Sequence, residues 1–287
     1  MTLVSAATLL AAARTRGSGL AAVDVVTLEQ AEGVVLGAEQ ADLPVVLQVS
    51  APTAHFHLGD PGPLAAALGV LADTSLVDVA LHLDHVSELD LLHRAAGCGF
   101  TSVLFDPARD VVYDAAVAAT ADAVTWGHEH GLLVTAELGA VMPDGERESA
   151  HLTDGRTDPG QAAAYVAATG ADALAVAVGS RPGMTEATAR LDLPLVRRLA
   201  AEVDVPLVLH GGSGVAQDEI GAAVDAGITM ITFGTVVSIA LTRSVRQHLH
   251  DLPDVRDPRQ YLLPARKAVS SVVAELVATV GLAGPGT

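Results

Sequence analysis

Acidic and histidine side chains stand at the ends of short apolar runs along this chain. Asp84 and His85 close one run together, Glu137 ends a second, and His210 ends a third. Carboxylates and imidazoles are costly to bury unless they are paired or bound to a metal. Their placement after stretches of Val, Leu and Ala therefore predicts a functional site that brings these four residues together.

Further polar residues end the remaining apolar runs. They are Asp24, Ser50, Asp106, Ser180, Thr232 and Thr235. A single Ser or Asp after a strand often caps the next helix, so Asp24 and Ser180 fit a capping role as well as a site role.

Two glycine-containing turns suggest a place for a phosphate group. The turn HGGSG occupies 210–214, and the turn FGT occupies 233–235. Glycine lets the backbone approach an oxyanion closely, and the hydroxyls of Ser213 and Thr235 can donate hydrogen bonds. The two turns therefore predict a phosphate-binding cradle.

Regularly spaced elements must position these residues. Eight β-branched apolar runs are predicted as strands, at 20–26, 44–50, 78–85, 101–106, 133–139, 173–179, 206–212 and 229–235. The segments between them show helical spacing of apolar residues, as at 64–72, 115–130, 159–169, 194–203 and 218–226. This alternation predicts an α/β fold, a (β/α)8 TIM barrel, formed by one domain over 1–287 with a C-terminal helix from about Pro264. Active sites of such barrels lie at the C-terminal ends of the strands, where the polar residues stand.

Composition excludes several other classes of protein. The chain has 287 residues, of which 50% are hydrophobic, and a formal net charge of −18, which opposes binding to nucleic acid or to anionic membranes. The single cysteine, Cys98, cannot form an internal disulfide, and no apolar stretch is long enough to cross a membrane. These features predict a cytoplasmic protein. The charged segment with Asp144, Glu146, Arg147 and Glu148 is predicted to act as a lid.

Taken together, the motifs resemble the class II, metal-dependent ketose-bisphosphate aldolases. The similar segments run in order along nearly the whole chain, and HLDH at 82–85 and LHGGSG at 209–214 are the most specific of them. The resemblance implies a TIM-barrel enzyme that cleaves or forms a phosphorylated ketose, with dihydroxyacetone phosphate as one partner. It also implies a homodimer or homotetramer.

The resemblance also assigns roles to individual residues. It implies that His85, His210 and Glu137 hold a divalent metal, usually zinc, and that Asp84 and Glu137 act in catalysis. The substrate- and phosphate-binding residues that it implies are Ser50, Gly183, Gly211, Gly212, Ser213, Thr232, Gly234 and Thr235. A Schiff-base mechanism is disfavoured, because the single lysine, Lys267, lies beyond the last strand.

Several positions depart from the family pattern. Pro182 stands where the family has a zinc-binding histidine, Thr232 replaces an asparagine, and Val23-Asp24 replaces Phe-Asn. Three hypotheses follow. The first is an aldolase whose missing ligand is supplied by water, Glu137 or a histidine of the pair His55 and His57. The second is a non-catalytic barrel that binds a sugar phosphate, and the third is a metal-free enolising isomerase.

Overall fold

A closed barrel of eight parallel strands forms the centre of the protein. In the computed structural model, residues 3–107, 112–139 and 155–283 are described. The strands follow one another around the barrel in chain order, and β8 closes it by pairing with β1. They are β1 Leu20–Asp24, β2 Val45–Ser50, β3 Val79–Val86, β4 Ser102–Phe105, β5 Leu133–Leu138, β6 Ala173–Val176, β7 Leu207–Leu209 and β8 Ile228–Phe233. The predicted TIM barrel and its eight strands are confirmed.

Helices surround the barrel and connect successive strands. They are α1 Ala6–Arg16, α2 Leu28–Ala41, α3 Ala51–Phe56, α4 Gly62–Thr74, α5 Leu89–Gly97, α6 Tyr113–Glu129, α7 Pro159–Thr169, α8 Leu193–Glu202, α9 Gln217–Ala226, α10 Thr235–Asp251 and α11 Pro258–Gly281, with a short 3₁₀ helix at Gly212–Gly214. The C-terminal helix α11 begins at Pro258, so Pro264 lies inside it rather than at its start. The predicted lid residues 144–148 lie outside the described residues. Within the described ranges, no helix is both long and apolar enough to span a membrane.

The interior of the barrel has an apolar lower layer and a polar upper layer. Ala22, Ala80, Ala175 and Met230 belong to a buried cluster that includes Leu10 of α1. Helix α1 therefore closes the N-terminal end of the barrel. One step further along the strands, the buried interior residues are polar, as with Gln48, His82, Asp84, Thr135, Glu137, His210 and Thr232. This change of layer places the polar residues at the C-terminal ends of the strands.

Two glycines of helix α2 bring it close to the C-terminal helix α11. A Cβ atom added at Gly33 of α2 would lie 2.8 Å from Val269 of α11, and one added at Gly37 would lie 2.6 Å from the carbonyl oxygen of Ser270. Side chains at these positions would push the helices apart. Helix α11 therefore packs tightly against α2 as part of the same core as the barrel.

Candidate active site

A cavity of about 740 Å³ opens at the C-terminal ends of the strands. Most of the predicted site residues line it, namely Ser50, Asp84, His85, Gly183, His210, Gly211, Ser213, Thr232, Gly234 and Thr235. Glu137 is buried near His85, and Gly212 faces β8, where an added Cβ would lie 2.6 Å from Ile231. A valine at Gly212 would therefore disturb the barrel wall as well as the glycine turn.

An irregularity in β3 brings Asp84 and His85 to the same cavity. Neighbouring residues of a regular strand point to opposite faces of the sheet. The register between β3 and β4 shifts between Leu83 and Val86, and His85 has a positive φ of 53°. The left-handed backbone costs a non-glycine residue about 1 kcal/mol. Such strain is typical of functional positions.

His85 and His210 form the part of the site best suited to a metal ion. Their ring centroids lie 4.8 Å apart, and Nε2 of His210 is buried with no hydrogen-bond partner among the described residues. Ligand atoms of Asp84, His85 and His210 all lie within 4.8 Å of one another, as do those of His85, Asp106 and Glu137. Imidazole and carboxylate groups suit zinc and similar divalent ions. The residues therefore fit a divalent metal.

The charges around these histidines favour a cation. Burial lowers the pKa of His85, but Asp84, Asp106 and Glu137 outweigh it and raise the pKa to about 10. Burial lowers the pKa of His210 to about 4, although Asp84 opposes this shift. A buried neutral imidazole beside several carboxylates offers a metal a ligand that needs no deprotonation.

Asp84 is held in place from two sides. Nε2 of Gln48 donates a hydrogen bond of 2.9 Å to Oδ2 of Asp84, and Nε2 of His82 lies 3.6 Å from Oδ1. His82 is itself fixed by a contact of 2.8 Å between its Nδ1 and Oγ of Ser102. Burial raises the pKa of Asp84, but His85, His210 and His82 together lower it below its usual value. The carboxylate is therefore ionised and oriented.

The ends of β7 and β8 form a glycine-containing cradle at the start of helix α10. Gly211 has a φ of 74°, and a Cβ atom there would lie 2.6 Å from the carbonyl oxygen of Arg181. Helix α10 begins at Thr235, and its N-cap residue Gly234 supplies no side-chain cap. Oγ of Ser213 accepts a hydrogen bond of 3.2 Å from the N–H of Val236. An anion at this helix N-terminus would find N–H groups and hydroxyls.

The histidines considered as replacement ligands occupy different positions. Nε2 of His57 lies 2.8 Å from the carbonyl oxygen of Val26. His55 lines the cavity, but its side chain is 57% exposed and lies 3.8 Å from Glu88. Neither histidine belongs to a metal-competent group of the described residues. Pro182 also lines the cavity and offers no side-chain donor.

The sequence pattern left the functions of three strand-end residues open. Asp24 does not cap α2, whose N-cap is Thr27, and its Oδ1 instead accepts a hydrogen bond of 2.9 Å from Gln48. Ser180 donates a hydrogen bond of 2.6 Å to the carbonyl oxygen of His210. Asp106 belongs to the metal-competent group with His85 and Glu137. The sequence feature that points to this role is its position at the end of β4.

These features define a class of protein, a TIM-barrel enzyme with a metal-competent histidine pair beside an anion cradle. The family model described as Fructose-bisphosphate aldolase class-II matches residues 4–285. The fructose-bisphosphate aldolase of Staphylococcus aureus (strain Mu50) is 33% identical over 276 residues, which cover 95% of each chain. The crystal structure of the YdjI aldolase from Escherichia coli K12 has a TM-score of 0.82 and 27% identity, covering 99% of each chain. A fructose-bisphosphate aldolase from Campylobacter jejuni shares the fold, with a TM-score of 0.81 at 20% identity, covering 99% of this chain and 97% of its own.

The chain belongs to the class II fructose-bisphosphate aldolase family. The predicted family and the predicted enzyme class, an aldolase and therefore a lyase, are confirmed. The family is generally metal-dependent, and it implies phosphorylated ketoses as substrates.

Proposed function

We propose that this chain catalyses reversible aldol cleavage of a phosphorylated ketose that yields dihydroxyacetone phosphate. The observation that carries this proposal is that the histidine pair and the glycine-containing cradle at the start of α10 open into one cavity. A ketose bound with its phosphate in the cradle would direct its carbonyl into the part of the same cavity that His85 and His210 line. The two halves of the site therefore suit the two ends of one molecule.

Zinc is the metal that we propose for this site. His85 and His210 would hold it together with a carboxylate. Asp84 shares a metal-competent group with both histidines, whereas Glu137, the ligand that the resemblance implies, is grouped with His85 and Asp106 and not with His210. When bound, zinc acts as a Lewis acid on the ketose carbonyl, which stabilises the negative charge that develops there by several kcal/mol. Lys267, the only lysine, is exposed on α11 and is not among the residues that line the cavity, so an amine mechanism has no support.

Asp84 is the proposed acid/base residue. Its carboxylate is buried, ionised and fixed by Gln48, and it lines the cavity next to both histidines. A carboxylate held in this way can take a proton from a bound ketose and return it. Ser50 and Thr232 line the same cavity and are proposed to bind substrate hydroxyls.

We expect Ser213→Asp to abolish binding of dihydroxyacetone phosphate. The new carboxylate would stand in the cradle and repel the phosphate dianion, so affinity should fall about 100-fold or more. Ser213→Asn is the matched control, because asparagine has the same size without the charge. Calorimetry on both variants measures the difference. Unchanged affinity in both variants would show that neither size nor charge at position 213 reaches the ligand, and would refute the placement of the phosphate in this cradle.

We expect Pro182→His to raise the affinity for zinc about tenfold or more, since Pro182 lines the cavity and histidine adds a nitrogen ligand. Competition with a chromophoric chelator gives the zinc dissociation constant. Pro182→Gln controls for the loss of the proline ring. An affinity that does not differ between the His and Gln variants would place this loop away from the metal.

Assembly into a homodimer or homotetramer is also proposed. Phe56 is 69% exposed and Leu58 is 98% exposed, next to His55 at the cavity. Adjacent apolar side chains of this kind favour contact with another chain.

A further inference from the structure

The wall of the cavity opposite the cradle lies at the ends of β2, β3 and β4. The eight strands follow one another around the closed barrel, so β3 and β4 stand across from β7 and β8, whose ends form the cradle. Five residues that follow β2, β3 and β4 line the cavity here, and we call them the distal wall: Pro52, His55, Ser87, Asp106 and Pro107. The distal wall and the cradle therefore bound opposite sides of one cavity.

The histidine pair lies between the cradle and the distal wall and sets the direction of a bound ketose. His210 follows β7 and His85 lies near the end of β3, with their ring centroids 4.8 Å apart. In a ketose 1-phosphate, the phosphate and the aldehyde half lie on opposite sides of the carbonyl. With the phosphate in the cradle and the carbonyl at the histidines, the aldehyde half extends towards the distal wall.

The charged groups at the distal wall oppose a second phosphate. Oδ2 of Asp106 lies 3.8 Å from Nδ1 of His85, and the side chain of Asp106 is 23% exposed. Nε2 of His55 lies 3.8 Å from Oε1 of Glu88, so the histidine of this wall already faces a carboxylate. Among the described residues that line the cavity, none is a lysine or an arginine. A phosphate on the aldehyde half would therefore meet carboxylates, which repel it.

Two prolines make much of the distal wall unsuited to an anion. Pro52 and Pro107 present carbon surface to the cavity, and neither has a backbone N–H to donate. At the start of α3, the N–H of Thr53 already donates a hydrogen bond of 3.4 Å to Oγ of Ser50, which caps this helix. A wall of this kind suits an uncharged group made of carbon and hydroxyls.

We propose that this chain acts on ketose 1-phosphates whose aldehyde half is uncharged, and that it discriminates against ketose bisphosphates. The inference deepens the proposed function and rests on it. In the cleavage, the hydroxyl on the fourth carbon loses its proton while the bond between the third and fourth carbons breaks, and the fourth carbon becomes the aldehyde. The electron pair of that bond stays on the third carbon, which takes up a proton to complete dihydroxyacetone phosphate. The groups beyond the fourth carbon face the distal wall, so their charge decides the preference.

The reverse reaction gives a matched pair of substrates. Dihydroxyacetone phosphate is condensed with D-glyceraldehyde or with D-glyceraldehyde 3-phosphate, which differ by one phosphate, on protein supplied with zinc. The wild type should use the uncharged aldehyde with a kcat/KM about tenfold or more above that for the phosphorylated one, because like charges in one cavity disfavour binding. Steady-state kinetics measures this ratio.

Ser87→Lys tests whether the distal wall sets the preference. Ser87 is exposed beyond the end of β3, so a longer side chain has room there, and a lysine would bring a cation to the wall. The preference for the uncharged aldehyde should fall about tenfold. Ser87→Met is the matched control, because methionine has a similar length without the charge, and it should keep the preference. The affinity for dihydroxyacetone phosphate alone, measured by calorimetry, should stay unchanged in both variants.

The outcomes separate the inference from the proposed function. A wild type that uses the phosphorylated aldehyde equally well or better would overturn the inference and leave the aldol activity intact. A preference that is the same in the Lys and Met variants would place the aldehyde half away from the distal wall, and would overturn the inference as well. Turnover of neither aldehyde would instead refute the proposed function, and the inference would fall with it.

Discussion

Asp84→Asn is expected to lower the rate of aldol cleavage by about 10²- to 10⁴-fold, the range that a positioned acid/base group contributes. Asparagine has the same shape, and its oxygen can still accept the hydrogen bond that Gln48 donates to Asp84. It cannot take up a proton, so the chemical step should suffer while binding remains. Steady-state kinetics gives kcat, and calorimetry with dihydroxyacetone phosphate gives the affinity.

A matched control keeps this result specific. Asp122→Asn removes one negative charge at an exposed position of α6 and should leave kcat unchanged. Thermal unfolding of both variants checks that the fold survives. Full activity of Asp84→Asn would show that another group moves the proton, and would refute the assignment of Asp84.

His210→Gln is expected to remove most of the bound metal and to lower kcat/KM at least 100-fold. His210 is buried at the end of β7, and its Nε2 has no other partner among the described residues. Loss of groups that only support metal ligands already costs 10- to 100-fold in affinity or activity, so loss of a ligand should cost at least as much. Elemental analysis of protein purified without a chelator measures the metal content directly.

His85→Gln should behave in the same way, whereas His250→Gln on the exposed side of α10 should retain its metal. The two metal-competent groups lead to different expectations for the His85→Gln and His210→Gln variants. Both groups share His85, but only the group with Asp84 contains His210. Metal that survives His210→Gln and is lost in His85→Gln would therefore place the ion with Asp106 and Glu137.

The sequence was sufficient to predict the strands and the cavity face because both follow from local patterns. Helix α7 has the predicted bounds Pro159–Thr169, since Asp158 caps it and Gly170 ends it. The backbone of His85 could not be predicted, because its positive φ depends on the shifted register between β3 and β4. The link from Asp24 through Gln48 to Asp84 was also missed, since it joins three strands at one level of the barrel.

Gly212 shows a different limit. The turn HGGSG predicts a glycine at 212 whose backbone faces a phosphate, yet the added Cβ at Gly212 points at Ile231 and Phe233 of β8. Gly211, Ser213 and Gly234 line the cavity, as expected for such a cradle. Glycine is required at 212 because the short 3₁₀ helix packs closely against β8. A sequence motif does not distinguish such packing from the close approach of a ligand.

Among the described residues, the apolar lower layer and helix α1 close one end of the barrel and leave the polar end open to the cavity. Leu10 of α1 and Ala22, Ala80 and Met230 fill the opposite end, so Asp84 meets solvent through the cavity above it. On the proposed function, a ketose in this cavity would stand between the Asp84 carboxylate and bulk water. We then expect a proton taken up by Asp84 to return to the same molecule, so that isotope from the solvent enters the product more slowly than the ligand turns over.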